Sequence, residues 1–260
     1  MTSVREPTLD QVLEFCARDP IERVFLEDVA RRGFGRFVGI PGDDSTLAAL
    51  CHLGANLVPS GDGCEAFADV AATSASKMII GNERAVSELW AAAGDRMPRP
   101  RADRPGQPVY AISEPPEPGG TKLRLATLDD LEPLVPVCAA AHEFELGVDP
   151  LERDAEGFRW RTRAQIADGR SWLWEEDGVV FFKAEASAWT PAAVQIQQVW
   201  VDPDVRGQGY GARGMRDLCR LLLGVTPSVT LFVRTENAPA IALYESIGMY
   251  LVGHYRSLLF

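Results

Sequence analysis

One stretch of the chain, VWVDPDVRGQGYGARGMRDLCRLLL at residues 199–223, restricts the possible folds more than any other. The apolar residues up to Val201 predict a strand, which Asp202-Pro203 ends. A glycine-rich turn follows, Arg206-Gly207-Gln208-Gly209-Tyr210-Gly211, and residues 212–223 then place apolar side chains at helical spacing. A strand running through glycines straight into an amphipathic helix makes an anion cradle. Glycine permits positive φ and close backbone approach, and a helix N-terminus offers N–H groups that lack intrahelical acceptors and carry partial positive charge. Arg206, Arg213 and Arg216 add charge nearby.

Two nucleotide-binding patterns compete for this segment. Gly209-Tyr210-Gly211-Ala212-Arg213-Gly214 satisfies G-x-G-x-x-G, and Glu236 stands after the next predicted strand. A dinucleotide fold needs several further strand-helix units beyond that acidic residue, however, and the sequence stops at Phe260. A P-loop fails as well, because no Lys follows the glycines ahead of Ser or Thr.

At 260 residues and 46% hydrophobic content, the chain has material for two cores. Residues 97–120 hold prolines 98, 100, 105, 108, 115, 116 and 118 and close on Gly119-Gly120, which places a boundary between domains 1–119 and 120–260. Within that stretch the apolar alternation at 109–112 predicts a last edge strand of the first domain, since proline is tolerated best at sheet edges. The formal charge of −11 argues against a nucleic-acid partner and suits solubility. No run of 18 apolar residues occurs and residues 1–20 are polar, so the expectation is a cytoplasmic protein without a membrane partner. Five cysteines (Cys16, Cys51, Cys64, Cys138, Cys219) show no CxxC spacing, so neither a disulfide framework nor a metal site is suggested. Oligomeric state is not legible.

In the first domain the pattern predicts a helix over 9–17 with Thr8 as N-cap, strands over 36–40, 46–51, 55–58 and 77–80, and a helix over 83–93. His52 in an apolar run reads as a packed histidine, and Gly61-Asp62-Gly63 as a turn without a strand-to-helix junction. The second domain begins with a strand over 122–126 and a capping box, Thr127 to Asp130, ahead of a helix interrupted by Pro133 and Pro136. A helix over 158–167 follows, then strands over 171–175, 179–186 and 194–201, the first two joined by an Asp177-Gly178 turn. A helix over 212–223, a strand over 229–234, a helix over 238–247 and a strand over 250–260 complete the chain. The fold class is α/β (α+β) in both domains.

Arg206-x-x-Gly209-x-Gly211 after a strand ending Val-x-Val-x-Pro resembles the R/Q-x-x-G-x-G/A acyl-CoA motif of the GNAT superfamily. NAPAIALYESIGM, with Asn237, Ala240, Tyr244, Gly248 and Met249, is similar to that superfamily's second signature at the expected separation. The resemblance spans residues 121–260. It implies a splayed mixed central sheet flanked by helices, acetyl-CoA as cosubstrate and an amine acceptor. Pantetheine would run between the strands at 194–201 and 229–234. Val199, Trp200 and Val201 would supply backbone groups to pantetheine and thioester. Arg206, Gly207, Gln208, Gly209, Tyr210, Gly211 and Ala212 would hold the pyrophosphate, and Asn237 would bond the pantetheine or a water. Tyr244 matches the general acid that protonates the departing thiolate. The general base is not fixed by the resemblance; Glu185, interrupting an apolar strand, is the candidate from the residues, with pairing to Lys183 as its alternative role. Glu143 and Glu145 fall where such domains bind acceptors and would either select a cationic amine or form a solvated helix end, with His142 beside them as a second base candidate. The first domain resembles the degenerate N-terminal halves of tandem GNAT proteins and lacks R-x-x-G-x-G. The implied function is N-acetyl transfer by direct attack in a ternary complex; the alternative is a non-catalytic acyl-CoA sensor.

Overall fold

The computed structural model describes residues 4–42 and 46–260, so the sequence reading of residues 1–3 lies outside the described residues. The N-terminal part contains α1 (Leu9–Ala17), α2 (Val24–Arg31), β1 (Arg36–Pro41), β2 (Leu47–Leu53), β3 (Asn56–Gly61), α3 (Ala68–Ala72), β4 (Met78–Asn82), α4 (Glu83–Ala93) and β5 (Ala102–Ile112). The C-terminal part contains β6 (Arg124–Leu125), α5 (Leu131–Leu146), α6 (Pro150–Ala167), β7 (Ser171–Glu176), β8 (Val179–Trp189), β9 (Val194–Val201), α7 (Tyr210–Leu223), β10 (Val229–Phe232), α8 (Ala238–Ser246) and β11 (Tyr250–Leu259).

Local chemistry sets the ends of these elements. Thr8 and Gln11 form a reciprocal capping box on α1, and Asn82 accepts from Arg84 and Ala85 N–H at the start of α4. Thr127 and Asp130 form the capping box expected before α5, and Arg124 grips both Asp130 oxygens at 2.7 and 2.8 Å. Pro136 lies inside α5, and the helix stops where Gly147 turns left-handed at φ 72°.

All strands belong to one mixed sheet in the order β1-β2-β3-β4-β11-β5-β10-β9-β8-β7-β6. Two of these strands are interleaved between the halves. The C-terminal strand β11 pairs with β4, and β5 from the proline-rich stretch lies between β11 and β10. The expected edge strand is therefore a central one. Its prolines are accommodated by irregular pairing: the register shifts between Tyr255 and Ser257, opposite Pro105 and Gly106, and Gly106 takes φ 66°.

The two halves also meet through α2, an element the sequence pattern did not predict. Val24 packs with Ala188 and Ala193, and Asp28 accepts two bonds from Arg170 at 2.7 and 3.0 Å. Asp28 is buried, with Arg32 as a second cation 3.9 Å away, so the pair anchors α2 to the strand that follows Arg170. One core lies between β7–β10 and helices α7 and α8, built on Trp174, Phe182, Ile196, Met215, Leu218 and Leu231. The N-terminal core packs Ile40, Leu57, Phe67, Ile79, Val86 and Leu89 under α4. His52 is packed as expected, its Nε2 3.3 Å from Phe34 O and its ring between Phe25 and Phe37.

The turn Gly61-Asp62-Gly63 departs from the expectation. It does join a strand to helix: β3 passes into a 3-10 turn at Cys64–Phe67 and then α3. Gly61 and Gly63 both have positive φ, 97° and 81°, and Glu88 Oε2 accepts the N–H groups of Gly63 and Cys64 at 3.2 and 3.1 Å.

Candidate functional site

The parallel strands β9 and β10 pair only at Val194↔Val229 and Gln195↔Thr230. From Ile196 onward β9 has no β10 partner, so the sheet splays open beside Val199, Trp200 and Val201 and leaves main-chain groups of β9 free for a ligand. Between the pairs Lys183↔Trp200 and Glu185↔Gln197, β9 carries one residue more than β8, and Gln198 takes φ 52° at this bulge. The bulge turns Gln198 so that its Nε2 donates to Glu145 Oε2 at 2.7 Å.

The glycine turn lies at one end of the splay. Gly207 and Gly209 have φ of 75° and 84°, and an added Cβ at either would enter open space. Among the described residues, the N–H groups of Gly207, Gly209, Tyr210, Gly211 and Ala212 have no protein acceptor, whereas Gln208 N–H bonds Val205 O at 3.3 Å. Orphan donors at a helix N-terminus beside open space fit a pyrophosphate. Gly211 acts through packing instead. A Cβ there would lie 2.7 Å from Leu243 and 3.2 Å from Val201, so this glycine seats α7 against α8 and β9. Tyr210 stacks on Trp174, ring centroids 4.8 Å apart.

The three arginines are not equivalent. Arg206 donates to Val201 O at 3.1 Å, and Arg216 makes no hydrogen bond or ion pair among the described residues. Arg213 is tied to the linker, bonding Gly119 O and Gly120 O at 3.0 Å each, while Asp217 accepts from Gly119 N, Thr121 N and Thr121 Oγ1. Burial alone would raise the Asp217 carboxyl, but those bonds outweigh it and hold the group below its ordinary range.

Tyr244 projects from α8 with 6% exposure, and its hydroxyl has no hydrogen-bond partner among the described residues. Burial, and then the Glu145 charge, push the phenol well above its usual value and keep it protonated. Asn237 accepts from Ala240 N–H at 3.3 Å and is the N-cap of α8.

The carboxylates separate into different environments. Glu185 is enclosed between α5, β8 and β9, where Oε1 accepts from Lys183 Nζ at 2.5 Å and from Cys138 Sγ at 3.4 Å. Lys183 is fully buried; burial opposes its charge, but Glu185 and Cys138 outweigh this and raise its pKa. Burial also pushes the Cys138 thiol up to about 11. Glu185 thus serves as the counter-ion of a buried lysine. Glu143 is solvent-exposed on the last turn of α5. Glu145 faces inward: burial raises its carboxyl, opposed by the Gln198 bond and by Arg104 and Arg234, and its charge reaches Tyr244. His142 packs edge-on to Phe158 at 5.7 Å, and burial, then Arg161, lowers its pKa.

The structure therefore brings Val199–Val201, the glycine turn, Tyr244 and Glu145 to one splay, and ties Glu185 and Asn237 into the framework. Gln198 and Arg104 were missed by sequence reasoning, whereas the pairing of Glu185 with Lys183 is the alternative the sequence offered. A Gln-rich run within an apolar strand was the one available hint for Gln198; nothing local marks Arg104.

No described helix is long and apolar enough to cross a membrane. Residues 137–249 match the acetyltransferase (GNAT) family, and residues 35–134 match a domain of unknown function, DUF4081. The chain is similar to the N-alpha-acetyltransferase RimI of Mycobacterium tuberculosis, 40% identical over 66 residues, which cover 25% of this chain and 40% of that protein. It therefore spans less than half of that relative. In fold it is similar over 99% of both chains to a GNAT-family acetyltransferase from Colwellia psychrerythraea, with a TM-score of 0.62 at 13% identity. A tandem GNAT protein from the clavulanic acid biosynthesis pathway aligns with 100% of this chain and 98% of its own, with a TM-score of 0.58 at 12% identity. The C-terminal part of the chain, over residues 137–249, is a GNAT-family domain, joined to an N-terminal part that matches DUF4081.

Proposed function

We propose that the C-terminal domain transfers an acetyl group from acetyl-CoA to a primary amine by direct attack in a ternary complex. The observation that carries this reading is the splay between β9 and β10, with unpaired glycine-turn N–H groups at one end and the free Tyr244 hydroxyl beside it. The turn would hold the pyrophosphate, with Arg206 and Arg216 adding charge, and main-chain groups at Val199–Val201 would hold the pantetheine and polarise the thioester carbonyl. The amine nitrogen attacks the carbonyl carbon; the new C–N bond forms as the C–S bond breaks.

Glu145 takes the proton lost by the amine. Its raised pKa brings a carboxylate closer to the range useful for a base near neutrality, and Gln198 fixes its orientation. Glu185 is assigned a structural role instead, because a carboxylate neutralising Lys183 is a weak proton acceptor. Tyr244 gives its proton to the departing thiolate, and Asn237 supports that tyrosine through the start of α8.

Following thiol release from acetyl-CoA with a panel of primary amines tests this reading. The expected result is turnover of at least one amine by a protein whose thermal midpoint acetyl-CoA raises. Binding that shifts the midpoint with no amine turned over would instead make the protein an acyl-CoA sensor.

A further inference from the structure

Beside Glu145 is a wall built from both halves of the chain. It consists of the end of α5, the residues entering β5 and the loop after β10. Three arginines converge there. Arg101 Nη1 donates to Leu146 O at 3.1 Å, and the Arg234 guanidinium lies 4.9 Å from the centre of the Phe144 ring. Thr235 Oγ1 donates to Gly106 O at 3.1 Å, which holds the Arg234 loop against the segment that carries Arg104.

None of the three is in an ion pair among the described residues, although ten other arginines of this acidic chain are. Arg104 is half-buried, and burial together with the Arg234 charge disfavours its protonated form. Two carboxylates act on the cluster, Glu145 and Glu236. Glu145 is the group assigned above to the amine, and Glu236 is solvent-exposed. A guanidinium cluster held beside a base, with its own counter-charge partly committed, is an arrangement that recognises an anion.

We infer that the acceptor carries an anionic group, carboxylate or phosphate, a few bonds from its amine, which Arg104 and Arg234 bind while the amine meets Glu145. The assignment rests on the acyl-transfer reading and adds an anionic group to the cationic amine expected at the acidic side chains. It also gives the N-terminal part a place in acceptor choice, because Arg101 and Arg104 belong to the strand it contributes and the residues leading into it.

Matched acceptors test the assignment: β-alanine against propylamine, a dipeptide against its C-terminal amide, and phosphoethanolamine against ethanolamine. The charged member of at least one pair should be preferred by about ten- to a hundredfold in kcat/KM, the size of a charge-assisted contact. The first two pairs report a carboxylate, the third a phosphate. Arg104→Gln and Arg234→Gln should each collapse that ratio through KM while the midpoint shift with acetyl-CoA persists. Equal use of charged and uncharged partners, or a ratio unchanged in both variants, overturns the assignment and leaves acyl transfer standing. If no amine is turned over by a protein that binds acetyl-CoA, the catalytic reading fails and the assignment falls with it.

Discussion

The two halves of the molecule contain the same local arrangement with opposite outcomes. In each, two parallel strands pair over two rungs and then part: Asn56↔Met78 and Leu57↔Ile79 for β3 and β4, Val194↔Val229 and Gln195↔Thr230 for β9 and β10. In each, the strand leads through positive-φ glycines into helical structure. In the C-terminal half the helix has 14 residues and the turn's N–H groups lack acceptors. In the N-terminal half the helical piece is a short 3-10 turn, and the carboxylate of Glu88 takes the Gly63 and Cys64 N–H groups. A side chain of the protein thus occupies the donors that a phosphate would need, and the neighbouring cleft, of about 250 Å³, is lined by internally paired side chains such as Arg23 with Glu22. The difference teaches that the fold alone does not confer an anion site; what decides is whether the donors are already satisfied.

The sharpest way to break this comparison is at the chemistry. Tyr244→Phe keeps the ring and its packing, so the account expects turnover to fall by about tenfold to ten-thousandfold with acetyl-CoA affinity nearly unchanged, read from kcat and from titration separately. A variant that acetylates at the normal rate would remove the phenol from the mechanism.

Next in size is the cradle. Gly209→Val places a β-branched residue at φ 84° in the space left for phosphate, and acetyl-CoA affinity should weaken by about ten- to a hundredfold. Strain of about 1–2 kcal/mol should also lower the melting temperature, so circular dichroism must show the variant folded at the titration temperature. Gly211→Val should act differently, through the Leu243 and Val201 contacts, with a larger loss of stability than of affinity relative to Gly209→Val.

The base assignment gives a pH dependence. A base works only when deprotonated, and burial raises the Glu145 carboxyl, so kcat/KM should climb with pH through an ionisation above the usual carboxylate range. Glu145→Gln should abolish that step along with most of the rate; a step that survives belongs to another group.

The smallest effect belongs to the N-terminal turn. Glu88→Ala leaves two turn donors to water, and stability should drop by about 1 kcal/mol in denaturant unfolding with acetyl-CoA affinity unaltered.

Much of this architecture could be read from the residues because capping and periodicity agreed: α1, α4, β7, β8, β9 and α7 begin and end close to where their caps, turns and apolar patterns place them. The geometry of the glycine turn and the place of Tyr244 on α8 were legible because each lies in a contiguous motif. β5 was misplaced because prolines suggested an edge, whereas a bulge at Pro105-Gly106 carries it through the centre of the sheet. α2 was missed because Arg23 provides no side-chain cap and so no start signal. The environment of Glu145 was not legible, since it comes from a distant partner, Gln198 at a positive-φ bulge, whereas Glu185 takes the alternative the sequence offered, the pair with Lys183, which is fully buried.

The stoichiometry of acetyl-CoA binding tests the contrast between the halves most directly. Isothermal titration of the full chain should give one molecule per chain, weakened by Gly209→Val and untouched by Glu88→Ala. Two molecules per chain, or a single site that survives Gly209→Val with full affinity, would contradict the account.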